Sequence, residues 1–106
     1  MSDNKYSIKI TPKARDDLDK IYNYISEELF AKRAAEDLLN RIETSIMRLR
    51  EFPFSCGYVA DEFLKGKGYR KLIIDNYVAF YITDEDKRQV VIMRVLHGRR
   101  KYENLL

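Results

Sequence analysis

The chain has 106 residues, 45% hydrophobic and 35% charged, with a formal net charge of +3. This length and balance fit one globular domain over residues 1–106, with core enough to need no metal or disulfide, and exclude a disordered chain. The single cysteine, Cys56, excludes an internal disulfide, and the longest apolar run, Tyr77 to Ile82, is too short to cross a bilayer.

The start, Met1 to Lys5, has no apolar run behind it, so no secretory signal is expected and the expected location is cytoplasmic. Cys56 reads as a small loop residue rather than a nucleophile, because His97 is remote in sequence and no Asp or Asn is placed to orient it. The charge is uneven: residues 1–64 carry ten Lys/Arg against twelve Asp/Glu, net −2, and residues 65–106 carry ten against five, net +5. A basic half either is a solvated surface or meets an acidic partner: nucleic acid, a ribonucleoprotein surface or an acidic protein.

In chain order, Tyr6 to Ile10 alternates, with Tyr6, Ile8 and Ile10 on one face, and predicts a half-buried strand. Thr11-Pro12 reads as an N-cap with proline at the first helical position. Ala14, Leu18, Ile21, Tyr22, Ile25 and Leu29 follow at helical spacing, and Asp16, Asp17 and Asp19 sit in the early turns, where the helix dipole favours them. A second stripe runs Ala31, Ala35, Leu38, Leu39, Ile42, Ile46 and Leu49. Continuing the first stripe would need apolar residues at 32 and 36, but these are Lys32 and Glu36. A single helix over 12–50 would also span about 58 Å. The pattern therefore predicts two helices with a break near residues 29–31, folded as a hairpin.

Phe52-Pro53 ends the second helix. Residues 54–68 show no clear period and read as a loop. Tyr69 to Ile74 is a strand, Asp75-Asn76 a tight turn, and Tyr77 to Thr83 a second strand. Asp84 to Arg88 is a charged loop. Gln89 to His97 is a third strand, apolar on both faces and therefore central. Gly98 ends it, and residues 99–106 form a short basic tail. The expected fold class is α+β, in the order β-α-α-β-β-β, with the helical hairpin on one face of a small antiparallel sheet.

That order, closed by Arg94-Val95-Leu96-His97-Gly98-Arg99-Arg100, resembles the RelE/ParE superfamily of toxins from bacterial toxin–antitoxin pairs. Ala14 to Tyr24 is similar to the family's first helix. Leu49 to Pro53 with Gly57 is similar to its helix exit. Gly68-Tyr69-Arg70-Lys71-Leu72 and Asn76-Tyr77-Val78-Ala79-Phe80-Tyr81 are similar to its two central strands. The pieces run across nearly the whole chain, and their order and spacing carry the likeness more than any one of them. It implies a growth-inhibiting toxin of a type II module, of plasmid-stabilisation type, neutralised by a co-encoded antitoxin. Such antitoxins wrap the toxin and cover basic surface, here on the sheet face left open by the helices.

The resemblance also implies two chemistries. ParE-like members inhibit DNA gyrase; RelE-like and YoeB-like members cut mRNA in the ribosomal A site. Cutting RNA needs a general acid or base and cations for a charged phosphorane. As a metal-independent, ribosome-dependent endoribonuclease, the chain would use Lys71, His97, Arg99 and Tyr102 as its catalytic set. Arg100 is the alternative to Arg99. The position where such members place an arginine is Val78, so the set is incomplete. The Arg94-to-Gly98 ending with its basic pair is similar to the ParE-like one. The reading therefore leans to a gyrase inhibitor that is not an enzyme, with neither cofactor nor metal expected. Its target-binding candidates are Arg70, Arg94, Arg99, Arg100 and Lys101.

Each candidate has a second reading. Arg70 and Lys71 point to opposite faces and serve either a target or an edge ion pair with Asp75 or a helix acid. Arg94 interrupts an apolar strand and must be paired or wet: a salt bridge to a helix acid, or a target contact. His97 is either an acid/base, since histidine changes charge near neutral pH, or a structural residue bonded to the loop. Arg99, Arg100 and Lys101 are either solvated or placed to grip phosphate. Among eight tyrosines, Tyr22, Tyr24, Tyr77 and Tyr81 fit the core or its rim, and Tyr102 is the candidate for stacking or chemistry.

Overall fold

The computed structural model describes residues 5–106; most of the start read for a signal, Met1 to Asn4, lies outside the described residues. Strand β1, Ser7–Ile10, leads into α1, Pro12–Asn23, and a π-helical turn, Tyr24–Glu28. Helix α2, Lys32–Met47, runs into a 3-10 turn, Arg48–Arg50. A short α3, Glu62–Gly66, precedes β2, Arg70–Ile74, β3, Tyr77–Asp84, and β4, Gln89–His97. The sheet order is β1-β4-β3-β2, so β4 is central, as its two apolar faces require. Strands β2, β3 and β4 pair antiparallel, as expected.

Strand β1 differs from that expectation: it joins β4 in parallel, Ser7 opposite Gln89 through Ile10 opposite Ile92. Alternation locates a strand but says nothing about the direction of its partner, and the first and last strands meet only after a long crossover. Past Ile10 the chain turns into α1 while still bonding β4: Thr11 N donates to Ile92 O at 3.1 Å and Thr11 Oγ1 to Met93 O at 3.0 Å. The same Oγ1 accepts from Ala14 N at 3.1 Å, capping the helix as its sequence indicates.

The helical break falls where the phase shift puts it, at Phe30, which takes a left-handed φ of 51°. Before it the helix widens, with Leu29 N donating to Tyr24 O at 3.2 Å. The extra residue in that turn rotates the stripe, so Leu29, expected inside, is 53% exposed. Residues 54–68 are not all loop: Asp61 caps α3 by accepting from Leu64 N at 3.0 Å. A single turn is too short to show a period. Gly68, at φ 91°, then reverses the chain into β2.

Two cores flank the sheet. On the helix side Ala14, Leu38, Ile42, Ile46 and Leu49 pack on Ala79, Tyr81, Val90, Ile92 and Val95. On the other side Val59, Leu64 and Tyr69 pack with Phe80 and Leu96, joined by Tyr102, Leu105 and Leu106. The second face, expected open, is thus partly covered by the chain's own α3 and C-terminal segment. Each fully buried large side chain contributes roughly 1.5–3 kcal/mol relative to exposure.

Tyr81 has no exposed surface, and its hydroxyl donates to Pro53 O at 3.1 Å. Burial, with hydrogen bonding at Cys56 next, raises its pKa far above the ordinary phenol value. The folded chain therefore holds this proton to higher pH than the unfolded one. Its contribution is complete below about pH 10 and lost as pH rises beyond that. Unfolding free energy should be flat across pH 7–9 and then fall by up to about 1.4 kcal/mol per pH unit for this group. Tyr81→Phe should flatten that limb, leaving the part carried by Tyr77, whose pKa burial also raises. Urea titrations at stepped pH check this; identical alkaline limbs in parent and variant would assign the slope elsewhere.

Candidate functional site

The end of the sheet where β3 begins and β4 ends holds three of the candidates, Arg94, His97 and Arg100. Beyond Ile92 strand β4 has no β1 beside it, and α1 supplies the missing partner. Asp17 accepts from Val95 N at 3.0 Å and from Arg94 twice, Nε at 2.7 Å and Nη2 at 2.9 Å. Arg94 Nη1 donates to Leu105 O at 3.0 Å, which ties down the C-terminal segment. The side chains of Arg94 and Asp17 are 15% and 8% exposed. The bonds to Asp17 raise the guanidinium pKa further, burial opposing. Of the two readings of Arg94, the salt bridge to a helix acid is the one present.

Next to this pair a groove of about 260 Å³ opens between the end of α1 and the end of β4. His97 forms one wall, ring to ring with Tyr77 at 5.3 Å and 76°. Its Nδ1 accepts from Arg99 N at 3.2 Å, so a neutral ring carries its hydrogen on Nε2. Lys20, Tyr24, Arg100 and the bridged Asp17 line the groove too, over an apolar floor of Ile21, Val95 and Leu96. Burial, then the nearby Tyr24, raises the Tyr77 pKa. The groove thus offers an imidazole, phenols and two cations, of which Lys20 already pairs with Asp16, beside an Asp17 carboxylate that Arg94 holds.

The other candidates lie elsewhere. Tyr102 is on the opposite face, stacked on Phe80 at 4.9 Å and 30°, with its hydroxyl accepting from Asp61 N at 3.4 Å. Lys71 is exposed and pairs with Phe80 across β2–β3, so it emerges on the Tyr102 face. Val78 packs against that second core. The sheet therefore brings Lys71 and Tyr102 to one side and sets His97 on the other. Arg99 and Lys101 are exposed after β4, on either side of Arg100. Arg70 makes no pair with Asp75, which Arg41 holds at 2.6 Å. Its Nη1 donates to Cys56 O at 2.6 Å, and its guanidinium lies 4.1 Å from the Tyr58 ring centre.

Asp17 and Lys20 belong to this region without having been singled out in the sequence as functional, and Tyr24, expected at the core or its rim, is 55% exposed here. One signal was available for Asp17: with Ala14 and Ile21 it lies on the apolar stripe of α1, where an unpaired carboxylate is costly. Lys20 carried none, since a helix surface is full of such residues.

A family model described as the ParE toxin of type II toxin–antitoxin systems, parDE, matches residues 8–102. Three solved structures share the fold. A chain of the chromosomal ParDE toxin–antitoxin system of P. aeruginosa superposes with TM-score 0.72 at 22% identity, covering 89% of this chain and 97% of that one. A chain of the RelBE2 toxin–antitoxin complex of Mycobacterium tuberculosis gives 0.61 at 23%, covering 88% and 98%. A double arginine-to-alanine mutant of the E. coli toxin RelE in the free state gives 0.63 at 11%, covering 90% and 85%. No individual curated protein matches the sequence.

Proposed function

Because the chain belongs to the ParE toxin family of type II toxin–antitoxin systems, we propose that it arrests growth by binding DNA gyrase and that a co-encoded antitoxin neutralises it. The observation carrying the choice of target is the separation of His97 from Tyr102 by the sheet, with Val78 on the Tyr102 side. An acid/base and cations must converge within hydrogen-bond reach of one phosphate to cut RNA. Here the imidazole faces the α1 groove, while Tyr102 is stacked into a core. An apolar isopropyl group at Val78 adds no charge to offset a phosphorane.

A second reading, a ribosome-dependent mRNA endonuclease, is favoured by one observation: Lys71 and Tyr102 share a face beside Phe80. Growth inhibition by variants separates the two. In the gyrase reading, His97→Ala keeps most of the inhibition, and joint replacement of Arg99 and Arg100 with Ala weakens it more, since a basic patch acts by summed charge. In the endonuclease reading, His97→Ala or Tyr102→Ala abolishes it, because one catalytic group is worth about two to three orders of magnitude in rate.

The antitoxin reading rests on the family and on the basic half of the chain. An acidic neighbouring gene product should co-purify, restore growth and bind less tightly as salt rises from 50 to 500 mM. A neighbour that neither co-purifies nor rescues growth would remove that partner.

A further inference from the structure

A second cleft, of about 510 Å³, lies at the far end of the sheet, where β3 ends and β2 begins. Six residues of β3 separate Tyr77, beside His97, from Thr83 in this cleft, or about 20 Å along the strand. Phe54 and Tyr58 line the cleft and are 45% and 46% exposed, and Phe63, outside the lining but against Lys67, is 70% exposed, all within ten residues of chain. The stretch from Lys65 to Lys71 holds four cations and no carboxylate. The two sets interleave: Lys67 Nζ sits 4.5 Å from the Phe63 ring centre, and the Arg70 guanidinium lies between Tyr58 at 4.1 Å and Phe54 at 5.4 Å. Neither cation has a carboxylate partner among the described residues. Glu85 is the one acid lining the cleft.

The walls are pre-formed. Tyr81 donates to Pro53 O, Arg70 to Cys56 O and Lys71 N to Gly57 O at 3.1 Å, and the Tyr6 ring meets Phe54 edge-on at 6.1 Å. Exposed rings alternating with cations that have no carboxylate partner are what a nucleic-acid strand needs: each base brings a flat face and each phosphate a charge. We propose that this cleft, extended by the adjoining Phe63, binds a single strand of nucleic acid, with bases stacked on Tyr58 and Phe63 and phosphates held by Lys67 and Arg70. A duplex hides its base faces and cannot use the rings. The site is separate from the groove at His97, and it does not rest on the choice between gyrase and the ribosome.

The test is fluorescence anisotropy of the purified full chain with labelled dT12 and with a 12-base-pair duplex. The parent should bind dT12 more tightly than the duplex. Phe63→Ala and Tyr58→Ala should each weaken dT12 binding by about 5- to 100-fold, the span of one lost base stack. Lys67→Ala should make the slope of log K against log salt shallower by about 0.7. Lys32→Ala, at the helical hairpin, should match the parent. Phe63 and Lys67 are exposed, so unchanged thermal melts of these two variants would show that the fold is intact. Absence of dT12 binding, equal binding of the duplex, or cleft variants that bind like the parent would overturn the proposal. So would cleft variants that keep dT12 binding and lose the antitoxin, which would make the cleft a protein-docking surface.

Discussion

Asp17→Ala should lower the unfolding free energy by about 3–5 kcal/mol, the usual consequence of leaving one member of a buried ion pair alone. The substitution strands the Arg94 guanidinium with a single bond to Leu105 O and leaves Val95 N without its acceptor. For a domain holding about 5–15 kcal/mol in total, that is a large fraction. The contrast is Lys20 with Asp16, whose side chains are 76% and 60% exposed; breaking that pair should cost well under 1 kcal/mol. Joint replacement of Asp17 with Leu and Arg94 with Met should recover most of the loss, because neither charge is then left buried. Urea unfolding of the three variants measures this, and a loss below 1 kcal/mol for Asp17→Ala would mean that water takes over the role of Asp17.

The largest loss is expected for Ile42→Asp. Ile42 is 1% exposed and packs from α2 into the helix-side core. Removing its branched chain costs about 2–5 kcal/mol, and burying an unpaired carboxylate adds several more. Together these match or exceed the stability of a typical domain, so no cooperative unfolding transition should be seen. Leu38→Asp, at 6% exposure on the same stripe, should behave alike, while Thr44→Asp on the exposed face should stay within about 0.5 kcal/mol. A cooperative transition near the parent midpoint for Ile42→Asp would show that α2 does not anchor the core.

Elements with a long repeat were legible in the sequence. The α2 stripe from Ala35 to Leu49 is buried almost position by position, and β4 has the expected bounds. The break in the hairpin was legible from the phase shift at Lys32 and Glu36, but its form was not: a phenylalanine at positive φ has no sequence signal. Helix α3 escaped because one turn is too short for periodicity. The second core was half visible. Val78, Phe80 and Leu96 needed a cover, yet Tyr102, Leu105 and Leu106 are too few and too near a basic run to announce one. At the candidate site, His97 and Arg100 were legible as residue types. Their separation from Tyr102 was not, because it follows from which sheet face each residue meets.

One paired measurement separates gyrase from ribosome-bound mRNA as the target. Purified toxin is added to a gyrase supercoiling assay and, in parallel, to a translating extract whose ribosome-bound mRNA is mapped by toeprinting. A gyrase-directed toxin should give dose-dependent loss of supercoiling, relieved by the antitoxin, with no new mRNA ends at the A site. Prompt A-site cleavage that vanishes in His97→Ala or Tyr102→Ala, with supercoiling untouched, would contradict it and establish the endonuclease.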